Sequence, residues 1–221
     1  MIAVIGDIHG CYHTLENLYG TIKNYTSEIY SVGDLIDRGK HSKSVVQFCI
    51  DKNIIPVKGN HEEMMLTSIN RYLSSPSGAI NFGFDMWRAN GGLETIRSYG
   101  DFNEYNPLKN FEDKLEQNGH YGFFLNLPLM IEIENTVITH AGIAGGILDD
   151  SVLWNRRRPK KLHWFQVFGH SPIIDASYIE NHYINIDTGC VYGRKLTAAV
   201  INPKSKEVLH IFSEPISNND K

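Results

Sequence analysis

The 221-residue chain has only three cysteines, Cys11, Cys49 and Cys190, too few and too widely spaced for a disulfide framework or a zinc cluster. Such sparing use of thiols fits a reducing, cytoplasmic setting. No apolar run approaches the ~18 residues that a membrane span needs, so no membrane partner is expected. The opening stretch MIAVIGD reads as a strand that reaches a charge at Asp7, which is not the pattern of a signal peptide. Basic residues are also in deficit: 21 Lys and Arg against 25 Asp and Glu give a net charge of −4. That balance leaves no footprint for duplex nucleic acid. What the chain does have in excess is histidine, ten in all.

The first 70 residues alternate short apolar runs with helical periodicity. IAVIG, EIYSVG and IIPVKG read as strands. YHTLENLYGTIKNY, SKSVVQFCIDKN and HEEMMLTSINRYLSS read as the helices that follow them, the second opened by a capping-type Ser42 or Ser44. This alternation predicts parallel strands in an α/β core. Residues 74 to about 125 read as a helical insertion over one face, beginning with the break SSPSG and including the short polar helix FEDKLEQNG. From Leu127 onward the pattern is β, in LMIEIENTVITHAG, WFQVFGHS, HYINIDTG and the hairpin LTAAVINPKSKEVLHIF, turning at Asn202-Pro203. The tail SNNDK is expected to fray. Nothing resembles a linker, so residues 1–221 are read as one α/β (α+β) domain.

Each of the first three strands ends in glycine plus a metal-capable residue: Gly6-Asp7, Gly33-Asp34 and Gly59-Asn60. VITHAG and VFGHS add His140 and His170 at the ends of two later strands. Ligands of open α/β sheets bind at the carboxyl ends of strands, where these residues should converge. Asp7 and His9, two apart on extended backbone, should present their side chains to the same face. A single aspartate after a strand is more often a helix cap, but five strand ends marked in this way read as a site. Asp7, His9, Asp34, Asn60, His140 and His170 supply two carboxylates, one amide oxygen and three imidazoles, a set suited to Mn, Fe or Zn. Six ligands exceed one tetrahedral site and suit two divalent ions bridged by a carboxylate, for which Asp34 is the central candidate. Two such ions make a cationic hole for phosphate and an activated hydroxide, which implies direct hydrolysis of a phosphoester. His61, beside Asn60, is the candidate general acid, Asp37 its anionic partner, and Arg38 a planar fork for phosphate oxygens.

GDIHG, GDLIDRG, GNHE, HAG and FGHS together resemble the signature blocks of the phosphoprotein phosphatases, most closely the small bacterial and bacteriophage lambda-type enzymes. The blocks run from residue 6 to 171. The resemblance implies a calcineurin-like metallophosphoesterase β-sandwich flanked by helices, with a dinuclear centre that is usually responsive to manganese. It implies one ion held by Asp7, His9 and Asp34, and a second held by Asp34, Asn60, His140 and His170. It places the acid on His61, the orienting carboxylate on Asp37 and the phosphate-gripping arginine on Arg38. A second such arginine is similar to Arg156 in LWNRRRP, with Arg157 and Arg158 as its neighbours.

Three positions sort the relatives. Calcineurin-like phosphodiesterases and nucleases tend to carry GHxH, whereas Pro172 stands at the second histidine here. Symmetrical diadenosine tetraphosphatases usually lack the aspartate before arginine and have Asp after GNH, where this chain has Asp37 and Glu62. The expected activity is therefore removal of phosphate from phosphorylated proteins or peptides, of Ser/Thr type or of dual specificity. Hydrolysis of dinucleoside polyphosphates is the alternative, since WRANGGLETIRSYG resembles segments of both groups. A non-catalytic binder of phosphorylated partners is a third reading, but it would have no need of a proton donor. His13, His41, His120, His163, His182 and His210 lie outside these motifs and receive no role.

Overall fold

The structure, a computed structural model, describes residues 1–74, 82–100, 106–108, 110–145 and 151–221. Among the described residues, ten strands form two five-stranded sheets. The first has the order β10-β9-β1-β2-β3, with β1 Ile2–Ile5, β2 Ile29–Ser31, β3 Ile55–Pro56, β9 Lys195–Asn202 and β10 Glu207–Pro215. β1, β2 and β3 pair in parallel, as alternation with α1 (Tyr12–Ile22), α2 (Ser42–Asp51) and α3 (Asn60–Ser74) predicts. The expected hairpin, β9 with β10, joins this sheet antiparallel beside β1. The second sheet has the order β4-β5-β6-β8-β7, with β4 Met130–Ile133, β5 Thr136–Thr139, β6 Phe165–Phe168, β7 Ser177–Ile179 and β8 Tyr183–Asn185. β7 is short and mostly exposed, so it carries no apolar alternation by which its sequence could announce it.

Period-two alternation along β1 divides the core. Ile2 and Val4 join Val167, Ile184 and Ile186 between the two sheets. Ala3 and Ile5 face the helices with Leu15, Leu18 and Val46. The result is a β-sandwich with its larger helical layer on the first sheet. The insertion packs into that layer through α4 (Phe82–Ala89), α5 (Gly92–Ser98), α6 (Phe111–Gln117) and α7 (His120–Leu125), with Trp87, Phe111, Leu115 and Phe124 buried. A short α8 (Ser151–Trp154) covers the outer face of the second sheet through Val152. The break expected at SSPSG lies, beyond Ser74, outside the described residues.

Two local expectations are corrected. Ser42 does not cap α2; His41 precedes the helix, and the Ser42 hydroxyl instead accepts the Asp37 backbone N–H at 3.1 Å. The tail does not fray. Asn218–Asp220 forms a 3-10 turn, and the buried Asp220 carboxylate accepts the N–H groups of His13 (3.2 Å) and Thr14 (2.7 Å). α1 begins at Cys11 without a side-chain cap of its own. A carboxylate some 200 positions away in sequence therefore supplies the cap and the favourable charge at the helix N-terminus. We expect Asp220→Ala to destabilise the protein by about 1–3 kcal/mol in urea denaturation. Asp220→Asn should cost less, because it keeps an acceptor.

Candidate metal centre

The strand ends converge at the rim of the sandwich on a cavity of about 160 Å³. Asp7, His9, Asp34, Arg38, Asn60, His61, Arg156 and His170 line it. His140 stands behind, touching Asn60 and His170, and Asp37 stands behind His61. All ten residues singled out in the sequence are thus brought together. The cluster Arg156-Arg157-Arg158 is also resolved: only Arg156 reaches this cavity, and all three line the neighbouring one.

The turns at the site are not the extended continuations expected after the strands. His9, Asp34, Asp37, Arg38 and His170 all adopt left-handed backbone, with φ of 47°, 49°, 74°, 67° and 69°. Asp7 and His9 therefore reach the same cavity because the chain turns between them, and not because the strand continues. Each such residue costs of order 1–3 kcal/mol, so the surrounding contacts must hold it there. Glu62 is one of the holders. Its buried carboxylate accepts the backbone N–H of Asp34 (3.0 Å), Leu35 (2.8 Å) and Gly59 (2.8 Å), which ties the ends of β2 and β3 together. Burial, together with the nearby Asp34 carboxylate, pushes Glu62 up to about 7.

Hydrogen bonding fixes what each imidazole presents. His140 Nδ1 donates to the Val32 carbonyl at 2.8 Å, and His9 Nδ1 to that of Ile36 at 2.8 Å. Each Nε2 is then a lone pair facing inward. His140 Nε2 lies 2.8 Å from Asn60 Oδ1, 3.1 Å from His170 Nδ1 and 3.4 Å from Asp34 Oδ2. His170 Nδ1 is 2.9 Å from the same Asn60 oxygen, and His9 Nε2 is 3.5 Å from Asp34 Oδ2. Burial holds His9 and His140 below the ordinary histidine range and brings His170 down to about 3, so all three are neutral at pH 7.

Apart from the Arg38 guanidinium, which donates to His9 Nε2, these contacts bring more acceptor atoms together than there are protons to share, and unshared lone pairs at these separations repel. Asp7 and Asp187, both buried, add to the excess of acceptors. Burial raises Asp7 well above the usual carboxylate range, with help from Asp187 and Asp34, and burial raises Asp187 to about 6. The donor set of nitrogen, carboxylate and amide oxygen fits divalent cations of the Mn, Fe or Zn kind. Two triads of candidate ligands share Asp34: His9-Asp34-His61 and Asp34-His140-His170. This is a candidate dimetal site with Asp34 in common.

His61 belongs to the first triad by distance, but its partners give it another role. Its Nδ1 lies 2.6 Å from Asp37 Oδ2, and Asp37 is fully buried. Thr95 Oγ1 donates to Asp37 Oδ1 at 2.5 Å, and Trp87 Nε1 to Oδ2 at 2.8 Å. Burial alone would lower the His61 pKa; the Asp34 and Asp37 carboxylates outweigh it and raise the pKa. Burial likewise raises Asp37, against the pull of His61, Thr95 and Trp87.

Asp187, Thr95 and the Trp87 contact with Asp37 join the site without being foreseen from the sequence motifs. Asp187 had a signal, since IDTG repeats the apolar-strand, aspartate and glycine pattern of IGDIHG. Thr95 and Trp87 had none, because they are 58 and 50 positions from Asp37. Glycine at two strand ends is a steric requirement. A Cβ on Gly169 would stand 1.9 Å from Asp7 Oδ1, and one on Gly59 2.1 Å from Asp34 Oδ1. Gly169→Ala should therefore weaken manganese binding about 10–100-fold, the scale typical of groups that orient ligands, with the far-UV circular dichroism unchanged. Equilibrium dialysis against Mn²⁺ measures this, and unchanged affinity would show that Asp7 is not a ligand.

The family model for calcineurin-like phosphoesterases matches residues 1–201. The chain is 31% identical to Bis(5'-nucleosyl)-tetraphosphatase PrpE [asymmetrical] of Oceanobacillus iheyensis, covering 89% of this chain and 87% of that protein. It is also 31% identical to Serine/threonine-protein phosphatase 2 of Salmonella typhimurium, covering 85% and 87%. In fold it is similar to a protein serine/threonine phosphatase from Saccharomyces cerevisiae, with a TM-score of 0.54 and 14% identity over 98% of this chain and 80% of that one. With lone pairs gathered at five strand ends of a two-sheet sandwich and a family match over nearly its whole length, the chain belongs to the calcineurin-like phosphoesterases.

Proposed function

We propose that this phosphoesterase is a manganese-dependent phosphoprotein phosphatase, acting on phosphoserine and phosphothreonine and also accepting phosphotyrosine. The observation that carries this reading is the buried Asp37–His61 pair, 2.6 Å apart, with His61 Nε2 3.9 Å from Asp34 Oδ2. Asp7, His9 and Asp34 would hold one ion, and Asp34, Asn60, His140 and His170 the other. When bound, the pair supplies positive charge opposite a phosphate and lowers the pKa of a water toward 7. Every other role falls to the chain itself. Arg38 and Arg156 face the cavity as cations for phosphate oxygens. His61, oriented by Asp37, gives a proton to the departing alkoxide, which leaves as an alcohol. Trp87 and Thr95 orient Asp37 in turn, so the insertion is built into the proton donor. The three cysteines are free and buried, in keeping with a reducing cytoplasm.

A second reading rests on the names of relatives: the Oceanobacillus protein, and likewise those of Bacillus subtilis and Halalkalibacterium halodurans, are named as dinucleoside tetraphosphatases. On that reading the same cavity hydrolyses a dinucleoside polyphosphate. Tyr192 and Trp154, both half-exposed at the cavity, could then stack against a base. Asp37 sets the chain apart from the symmetrical diadenosine tetraphosphatases, whereas these relatives bear the asymmetrical name.

His61→Asn should lower turnover of p-nitrophenyl phosphate with Mn²⁺ by roughly 10²–10⁴ and leave metal content unchanged. Equal turnover would remove His61 from the acid role. Comparing kcat/KM for a phosphothreonine peptide and for diadenosine tetraphosphate separates the two readings. The peptide should be preferred; preference for the dinucleotide would transfer the assignment to the second reading.

A further inference from the structure

Three residues outside the cavity bring a second set of metal-binding atoms together: His13, His41 and Asp220. One nitrogen from each ring and one carboxylate oxygen all lie within 4.8 Å of one another. They come from the first turn of α1, the residue before α2 and the 3-10 turn Asn218–Asp220.

The three side chains are held in place. The rings of His13 and His41 meet edge to face, with centroids 5.3 Å apart. His41 Nε2 is 3.2 Å from the Asn219 carbonyl, and the His41 backbone N–H donates to Gly10 at 3.2 Å. Asp220 Oδ2 accepts from both Thr14 N (2.7 Å) and Thr14 Oγ1 (2.6 Å). Among the described residues, Oδ1 accepts only the His13 N–H, at 3.2 Å, which leaves it a lone pair for an ion. His13 and His41 are half-buried and open to solvent on one side, whereas Asp220 is buried. An ion can thus enter from solvent and complete its coordination with water.

We propose that His13, His41 and Asp220 form a structural cation site distinct from the dimetal cavity, suited to Zn²⁺. Two imidazoles, one carboxylate and a water make a four-coordinate zinc set, and the nitrogen share disfavours Mg²⁺ and Ca²⁺. Neutral imidazoles and a single carboxylate leave the site at +1 with the ion bound, a modest charge at a half-exposed position. The site lies directly behind the catalytic loops. His13 follows His9 by four residues, His41 follows Arg38 by three, and the Gly39 N–H donates to the His9 carbonyl at 3.1 Å. An ion here ties the β1–α1 turn, the β2–α2 loop and the 218–220 turn together, which gives it a stabilising role rather than a part in the chemistry.

The test is to load the full-length protein and the His13→Gln/His41→Gln variant with Zn²⁺, remove the excess by desalting, and measure zinc per chain. The variant should hold one equivalent fewer than the parent. The difference reads this site whatever the cavity holds, so the result is independent of the dimetal assignment. Zn²⁺ should also raise the melting temperature of the parent more than that of the variant, while Mn²⁺-dependent turnover stays within twofold. Both histidines are partly exposed, so the variant is expected to fold; circular dichroism checks this, and single His41→Gln is the fallback if it does not. Equal zinc content in the two proteins would overturn the proposal.

Discussion

The carboxylate of Asp34 is the point on which the rest of the structure turns. Its Oδ2 lies within 3.9 Å of an imidazole nitrogen from each of His9, His61 and His140. Its Oδ1 accepts the His61 backbone N–H at 3.1 Å. The His9 and His140 nitrogens present lone pairs, and burying a carboxylate against them is unfavourable in the absence of positive charge. The fold concentrates electron density at this spot, against the ordinary rule that buried polar atoms find complementary partners. A divalent pair would convert the repulsion into coordination, and a protein with a net charge of −4 would then present a cationic pocket to phosphate.

Holding such a cluster requires a stiff frame. The two sheets bring β1, β2 and β3 from one side and β5 and β6 from the other, so that Asp7, Asp34 and Asn60 face His140 and His170. Left-handed turns at His9, Asp34 and His170 aim the side chains. Glu62 locks two of the loops by accepting three backbone N–H groups. Asp220 anchors the start of α1, which begins three residues after His9. Strain is thus stored where ligands gather and offset by hydrogen bonds just outside the cavity.

The grouping of the candidate ligands was legible in the sequence because coordination chemistry restricts residue type and the α/β pattern restricts place. An Asp, Asn or His beside glycine at a strand end is a local signal, and five of them reinforce one another. The β1-α1-β2-α2-β3-α3 order was legible for a similar reason, since hydrophobic period distinguishes strand from helix within a dozen residues. What escaped was set by the path of the chain through space. Thr95 and Trp87 serve Asp37 from the insertion, and Asp220 caps α1 from the far end of the sequence. Ser42 looked like a helix cap because its hydroxyl suits one, yet the Asp37 N–H reaches it instead. β7 is an exposed edge strand, paired only with β8, and has no buried face to impose a pattern.

Anomalous diffraction from crystals grown with manganese tests the central claim most directly. Two peaks about 3.5–4 Å apart are expected, with the Asp34 carboxylate between them and the nitrogens of His9 and His140 on opposite sides. A single peak, or a pair with Asp34 turned away from both, would contradict that claim.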